Sequence, residues 1–388
     1  MPLAIYALAL AAFAIGSAEF IVSGILPPLA TDLAVSIPAA GMLVTVYAIG
    51  VAIGGPVLTV MTARYSPRSI LVAALLLFAV SQILCAIAPD YQLLLVARVI
   101  AACGHGVFFG AGNVVVTRLV PVERRGSAFA LFIGGITVAN LLGLPGGAAI
   151  GNAFGWRAAF VAVAILGAIA TFVIVARVPK EPASAHPRSS FRDQLQALRH
   201  QEVLLSFLTI IIIMTAILAF GTYQVPLLME VSGIHQDLVP LYLLLGGVGS
   251  VIGIYSGGRL ADWRPMPSLI AVLLLLSLSF GAMLFTMHHP LLMAVNVLLG
   301  NLFGFAFSTP LQLRIMHAAR AAPNLASSLI STSFNIGIAS GASLGALLLS
   351  SGFRYEQLPW IGVFSGVAAA SVAALSWGLE RRRHRVTA

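Results

Sequence analysis

Charge is what this chain has least of. Only 9% of its 388 residues are Asp, Glu, Lys or Arg, against 60% hydrophobic, whereas a soluble domain carries about 25% charged residues. A soluble chain of this length would split into several cores; here long apolar runs point to a membrane protein instead. Cysteine is almost absent too. Cys85 and Cys103 both lie inside apolar runs, which leaves no disulfide framework and no metal-ligand spacing, so both read as packing residues. Residues 1–18 hold no Lys or Arg. The apolar stretch ending near Ser17-Ala18 thus lacks the basic start of a signal peptide, and residues 1–26 are taken as the first span. No Walker loop, zinc-protease motif or dinucleotide fingerprint in a βαβ setting is found. Gly341-Ala-Ser343-Leu-Gly345 has the spacing of a hydrolase elbow but sits in an apolar span without a strand–turn–helix context. His288-His289 alone is weak ground for a metal. No cofactor, metal or enzymatic activity is expected.

What is present is a series of twelve apolar segments, at roughly 4–26, 39–61, 69–88, 91–117, 127–150, 156–176, 202–224, 239–258, 268–287, 290–313, 324–349 and 358–378. Each is near the roughly 20 residues that a bilayer requires. Most connections are short. The exception, 177–201, holds Pro179, Pro182, Pro187, Ser189, Ser190 and many charges. The expected fold is an all-α integral membrane protein of twelve transmembrane helices in two six-helix bundles, 1–176 and 202–388, joined by a cytoplasmic linker. With the N-terminus inside, all but three of the 21 Lys and Arg fall on the cytoplasmic side: Arg157 and Arg354 lie outside and Arg98 lies in the membrane. The acids Asp32, Asp90, Glu230, Asp237 and Glu356 are outside, and Glu19 is in the membrane. The inverse orientation would break the positive-inside rule almost completely, so both termini are placed in the cytoplasm. The net charge of +9 and the tail Arg381-Arg382-Arg383-His384-Arg385 then read as lipid-headgroup contacts rather than a nucleic-acid site.

The chain repeats itself. Shifted by 198 positions, residues 98–109 overlay 296–307, and Gly143 and Gly147 fall on Gly341 and Gly345. Both glycine pairs belong to ladders with four-residue spacing, Gly143/Gly147/Gly151 and Gly337/Gly341/Gly345, which let helix backbones approach closely. Pro145 within the first ladder is expected to kink its helix. Gly155-Trp-Arg157 has a relative in Gly352-Phe-Arg354. Parallel repeats of six helices are a transporter architecture. The second half has Asn296 and Phe303 where the first has Arg98 and His105, so ionisable chemistry is expected in the first half alone.

These features resemble the major facilitator superfamily over the whole chain. Gly258-Arg-Leu-Ala-Asp262 looks like the family's loop motif between helices eight and nine. Its counterpart between helices two and three runs from Gly55-Pro-Val-Leu-Thr59 through Arg64 and Arg68, with Thr59 where the family usually has Asp; the charge latch of that loop is in question here. Arg98 with Gly104 matches the helix-four motif associated with proton coupling. Gly143-Leu-Pro145-Gly-Gly147 looks like the helix-five motif of drug/proton antiporters. Ser17-Ala-Glu19-Phe20, Ser36-Ile-Pro-Ala-Ala-Gly41 and Gly104-His105-Gly-Val-Phe-Phe109 together resemble a bacterial branch with arabinose-efflux-like, purine-ribonucleoside-efflux-like and chloramphenicol-resistance permeases. The resemblance implies a monomeric alternating-access transporter in the bacterial cytoplasmic (inner) membrane.

Ionisable residues inside a membrane are costly and mark candidate functional sites. Glu19 and Arg98 both fall roughly 12 Å below the outer face, at 1.5 Å of rise per residue, and can pair if their helices are neighbours, as the superfamily fold implies. Glu19 is the expected proton carrier and Arg98 its tuner, because a neighbouring guanidinium favours an ionised carboxylate and desolvation disfavours it. A static interhelical salt bridge is the alternative. His105 shares the helix face of Arg98, seven residues on; substrate binding, proton relay and a plain helix-to-helix hydrogen bond all stay open for it. Phe109 is placed to present an aromatic surface beside His105, with core or lipid packing as the alternative. Asn113, Asn140, Asn301 and Asn335 either face the cavity or join helices. Helices one, four, seven and ten line the superfamily's central cavity, which favours Asn301. The expected function is export of a small neutral or weakly polar molecule, such as the drug chloramphenicol, in exchange for protons. Sugar or nucleoside efflux, and proton-coupled uptake, are the alternatives.

Overall fold

The computed structural model describes residues 1–62, 64–121, 124–179, 201–319 and 323–386. Among the described residues there is no strand, and twelve helical spans are long and apolar enough to cross a membrane. In chain order they are α1 (Leu3–Gly24), α2 (Ile37–Thr62), α3 (Pro67–Ile87), α4 (Tyr91–Leu119), α5 (Arg125–Phe154), α6 (Trp156–Arg177), α7 (Gln201–Glu230), α8 (Gln236–Trp263), α9 (Pro265–Thr286), α10 (Pro290–Ala318), α11 (Leu329–Ser350) and α12 (Tyr355–Arg381). Local chemistry sets several of the starts. Ser36 and Ser66 accept from the amides of Ala39 and Ser69, and Asp90 accepts from Leu93 at 2.8 Å. Each supplies an acceptor to a helix N-terminus that has none of its own, and proline in the first turn of α2 and α3 removes one unpaired donor.

The chain divides into two compact units, Met1–Ala185 with His235–Leu244, and His186–Ile234 with Leu245–Ala388. The expected linker, 177–201, lies outside the described residues from 180 to 200. Residues 235–244 group with the first unit rather than with the second half of the sequence. There Asn152 Nδ2 donates to the Gln236 carbonyl and Gln236 Nε2 donates to Asn152 Oδ1, both at 3.0 Å.

In the first unit the glycine ladder of α5 lies on α1. A Cβ at Gly143, Gly147 or Gly151 would collide with Ser17, Ile21 or Ile25 respectively. In the second unit Gly337, Gly341 and Gly345 of α11 meet Met214, Thr215 and Tyr223 of α7 in the same way. The 198-residue shift therefore carries the contact Ser17–Gly143 onto Thr215–Gly341. Ser343, between two of these glycines, is helical, so the elbow spacing there is accidental. Gly155 and Gly352 repeat as well: their φ angles are +85° and +91°, a region that L side chains rarely adopt.

Two features of the spans have physical causes. Pro145 lies within the span Arg125–Phe154. It follows a π-helical turn at Ala139–Gly143 and stands in the first turn of the helix Leu144–Phe154, where its missing N–H costs nothing. The second unit also pairs charges beyond the expected spans. The C-terminal ends of α10 and α12 run past the expected limits of 313 and 378. They bring Arg314, 9% exposed, to within 3.2 Å of Glu380, while its Nη2 donates to Ser376 at 2.9 Å.

Candidate functional site

The most polar point inside the first unit is built by α1, α2 and α4. Arg98 on α4 is wholly buried, 0% exposed. Its Nη1 donates to the Ala18 carbonyl of α1 at 2.8 Å, and its guanidinium carbon lies 4.0 Å from the ring centroid of Tyr47 on α2. Its Nε and Nη2 are buried and find no partner. Tyr47, 1% exposed, shares a hydrogen bond of 3.1 Å between its hydroxyl and His105 Nδ1. The His105 ring in turn lies 5.0 Å from Phe109, and Phe109 lies 5.3 Å from Phe132. Tyr47 thus touches Arg98 with its face and His105 with its hydroxyl.

The magnitudes matter here. Desolvating a charge costs several kcal/mol even after relaxation. A hydrogen bond to a charged group returns about 1.5–3 kcal/mol, and a desolvated cation–π contact about 2 kcal/mol. Two guanidinium nitrogens without partners then leave Arg98 short of full compensation.

Glu19 follows Ala18 on α1, one residue from the carbonyl that Arg98 holds. Its side chain is half-buried and makes no hydrogen bond or ion pair among the described residues. The interhelical ion pair considered from depth alone is therefore not formed: the guanidinium turns to the Ala18 carbonyl and the Tyr47 ring, with Glu19 one residue further along α1.

The other residues singled out from sequence are spread more widely. Asn113 is half-buried on α4, with a buried Oδ1 that finds no partner. Asn301 donates to the Val297 carbonyl of its own helix at 2.9 Å and lines a cavity in the second unit. Asn335 donates to Ser331 at 3.0 Å, and Asn140 is buried in the π turn of α5. Gly55 faces Gly106, where α2 and α4 come closest, and Thr59 lies against Gly110. Arg64 covers the Tyr65 ring at 4.9 Å, and Arg68 donates to the Val175 carbonyl of α6 at 2.5 Å. Gly258 and Asp262 lie in the last turns of α8, with Asp262 exposed.

Tyr47 was not singled out from sequence, though a signal existed. It stands ten residues into α2, and Arg98 and His105 stand seven and fourteen residues into α4. At 1.5 Å per residue its depth is about 15 Å, between about 10 and about 21 Å for the other two. The two helices start at the same end, since the Tyr91 hydroxyl donates to the Ala39 carbonyl at 2.6 Å.

A twelve-span helical protein with a buried, incompletely paired arginine has the architecture of a transporter rather than of an enzyme. The sequence model described as Major Facilitator Superfamily matches residues 8–322. The inner membrane transport protein YdhP of Escherichia coli (strain K12) is 38% identical over 93% of this chain and 93% of its own. A chloramphenicol resistance protein of Streptomyces lividans is 31% identical over 90% of each chain. The crystal structure of a bacterial homologue of the human lysosomal transporter Spinster has the same fold, with a TM-score of 0.76 at 17% identity over 96% of this chain and 94% of its own. The chain belongs to the Major Facilitator Superfamily. It is a multi-pass membrane transporter acting on a small molecule.

Proposed function

We propose that the protein exports a small neutral or weakly polar molecule in exchange for protons, by alternating access. One observation carries this reading: a fully buried Arg98, with two guanidinium nitrogens that find no partner, lies near a carboxylate, Glu19, with which it forms no ion pair. A carboxylate in that position has two states. Drawn onto Arg98 it is stabilised as the anion and gives up its proton; withdrawn, it takes one up. A change of water access between the two states makes that cycle a transport step. Similarity to a chloramphenicol resistance protein supports a drug-like solute such as chloramphenicol as the cargo. A neutral cargo also suits the energetics. One proton crossing 100 mV is worth roughly 2.3 kcal/mol, and tenfold accumulation costs about 1.4 kcal/mol. One-for-one exchange would therefore sustain roughly a 50-fold gradient from voltage alone. The charge asymmetry of the loops supports a site in the bacterial inner membrane with both termini cytoplasmic, and the working unit is taken as a monomer. A sugar or nucleoside as cargo is the second reading, favoured by the amides of Gln224 and Asn301 in the second unit.

The test is proton flux in proteoliposomes with a pH-sensitive dye inside. Chloramphenicol, arabinose and a purine nucleoside are added in turn, with Glu19→Gln in parallel. The expected result is a substrate-dependent proton signal that Glu19→Gln abolishes. An unchanged signal in Glu19→Gln removes Glu19 as the carrier.

A further inference from the structure

Gln82 of α3 is fully buried, and neither its Oε1 nor its Nε2 finds a partner. A primary amide left in that state costs free energy and calls for a reason. Packing places it at the level of Arg98. A Cβ at Gly104 of α4 would meet the Ala74 carbonyl at 2.9 Å and Phe78 Cβ at 3.3 Å, and Gln82 is one turn beyond Phe78 on the same face of α3. Gln82 stands five residues before Ile87, the end of α3, and Arg98 seven residues after Tyr91, the start of α4. At 1.5 Å per residue they lie about 8 and about 10 Å below neighbouring helix ends. Cys85, one turn from Gln82, is within electrostatic reach of the guanidinium. On the other side Phe78 meets Gly167 of α6; one turn nearer the outer end of α6, Val163 and Ala164 are apolar.

The second unit groups the related positions in the same way. Shifted by 198 positions, Glu19, Gln82 and Arg98 become Ile217, Phe280 and Asn296, and these three line one cavity. There Asn296, at the place of Arg98, donates to Thr286 of α9, the counterpart of α3. A side chain at that place can thus turn to this neighbour. The buried amide of position 82 is replaced by a hydrocarbon ring in the unit that lacks the charges.

We infer that Gln82 is a positioning residue for the proton step: its amide oxygen accepts from the Arg98 guanidinium when Glu19 is protonated and releases it when Glu19 ionises. This role rests on Glu19 being the proton carrier. Arg98 keeps Nη1 on the Ala18 carbonyl and has Nε and Nη2 to offer. The guanidinium then keeps a partner in both states, as a buried charge requires. The proton travels between water and the Glu19 carboxylate; Gln82 neither gains nor loses one. The titratable groups around Arg98 are Glu19 of α1, Tyr47 of α2 and Cys85 of α3, with His105 two turns along α4. Helices α5 and α6 carry only terminal arginines, Arg125, Arg157 and Arg177.

The test reads the protonation of Glu19 and needs no cargo. The full-length protein in liposomes is treated at a series of pH values with dicyclohexylcarbodiimide, which attacks protonated carboxyls in apolar surroundings. Mass spectrometry then measures the label on the peptide that holds Glu19. Gln82 competes with the carboxylate for one guanidinium, so its removal favours the ionised pair. The labelling midpoint is expected about one pH unit lower in Gln82→Met than in the native protein. A bare loss of polarity would move it the other way, because apolar surroundings disfavour the charged form. In Gln82→Glu a second carboxylate holds Arg98, and the midpoint is expected to rise. The melting temperature of Gln82→Met is expected not to fall, since an unpartnered amide gives way to an apolar side chain of similar size. Gln82→Leu is read in parallel. A midpoint that stays or rises in Gln82→Met and Gln82→Leu, with native labelling still dependent on pH, removes Gln82 and leaves the proton reading intact. Native labelling that does not vary with pH overturns the proton reading, and the role of Gln82 with it.

Discussion

Arg98 explains why the site in the first unit is built as it is. A guanidinium offers five N–H donors and cannot lose its charge, so burying it in a span requires partners. Glu19, Arg98 and His105 were legible in the sequence because each is an ionisable group in an apolar run, where its cost marks it out. Tyr47 was less legible. A tyrosine in a span has an apolar ring that packs anywhere, and only its depth relative to Arg98 and His105 gives it away. Tyr47 links the two charged or chargeable residues of α4, with its ring face on Arg98 and its hydroxyl on His105. Tyr47→Phe keeps the ring under Arg98 and removes only the hydroxyl's bond to His105. The lost hydrogen bond is worth about 1 kcal/mol, which converts to roughly a fivefold fall in substrate-driven proton flux if His105 must be held in one orientation. Measured with His105→Ala in a double-mutant cycle, the two changes are then expected to be non-additive. Additive losses would show that Tyr47 and His105 act separately.

Helix contacts were partly legible. The four-residue spacing of small residues announced that α5 and α11 would each lie close to another helix, and they do, against α1 and α7. The π turns in α2, at Gly50–Gly54, and in α5 were not legible, because one extra residue in a turn leaves no mark on hydrophobic spacing. The pair of Arg314 and Glu380 was not legible for a simpler reason: hydropathy ends a span at its last apolar residue, while the helix continues and pairs its charged ends. At the opposite end of the first unit, Asp32 ties three connections together. Its carboxylate accepts from Arg157 and, at 3.0 Å, from the Trp156 indole N–H, while Arg157 Nη2 reaches the Ala88 carbonyl at 3.1 Å. The Arg157 guanidinium, and after it the Trp156 N–H, hold the Asp32 carboxyl below its ordinary value. A depressed value in the fold means that the stabilisation is present above the unfolded carboxyl's pKa, about 3.9, and disappears as the pH falls through the folded value. Both side chains are more than a third exposed, so solvent screening limits the effect to about 1 kcal/mol or less. Asp32→Asn is therefore expected to lower the melting temperature slightly at pH 7, with the gap to the native protein closing below about pH 4. A gap that stayed constant down to pH 3 would mean that the carboxylate's charge contributes nothing.

On the proposed proton exchange sidedness matters, since a proton would load from one face and leave by the other. The sequence carries that direction in its loops. Arg157 and Arg354 are the two Lys or Arg assigned to the connections on the outer side. Each stays near an acid, Arg157 at Asp32 and Arg354 at 3.8 Å from Glu356, so neither leaves a bare positive charge to be moved across the bilayer. On the proposed orientation the other positive charges, Arg98 apart, fall on the side of the termini, which is where a cytoplasmic face collects them. Reporter fusions test this directly. A fluorescent protein that matures only in the cytoplasm, joined after Ala388, is expected to fluoresce. Alkaline phosphatase, active only outside, is expected to be active when joined in the 231–236 connection and inactive after Arg124. Activity after Arg124 with a dark C-terminal fusion would invert the orientation. Glu19 would then open towards the cytoplasm at the depth assigned to the outer face, and exchange driven by an inward proton gradient would have to be redrawn as uptake.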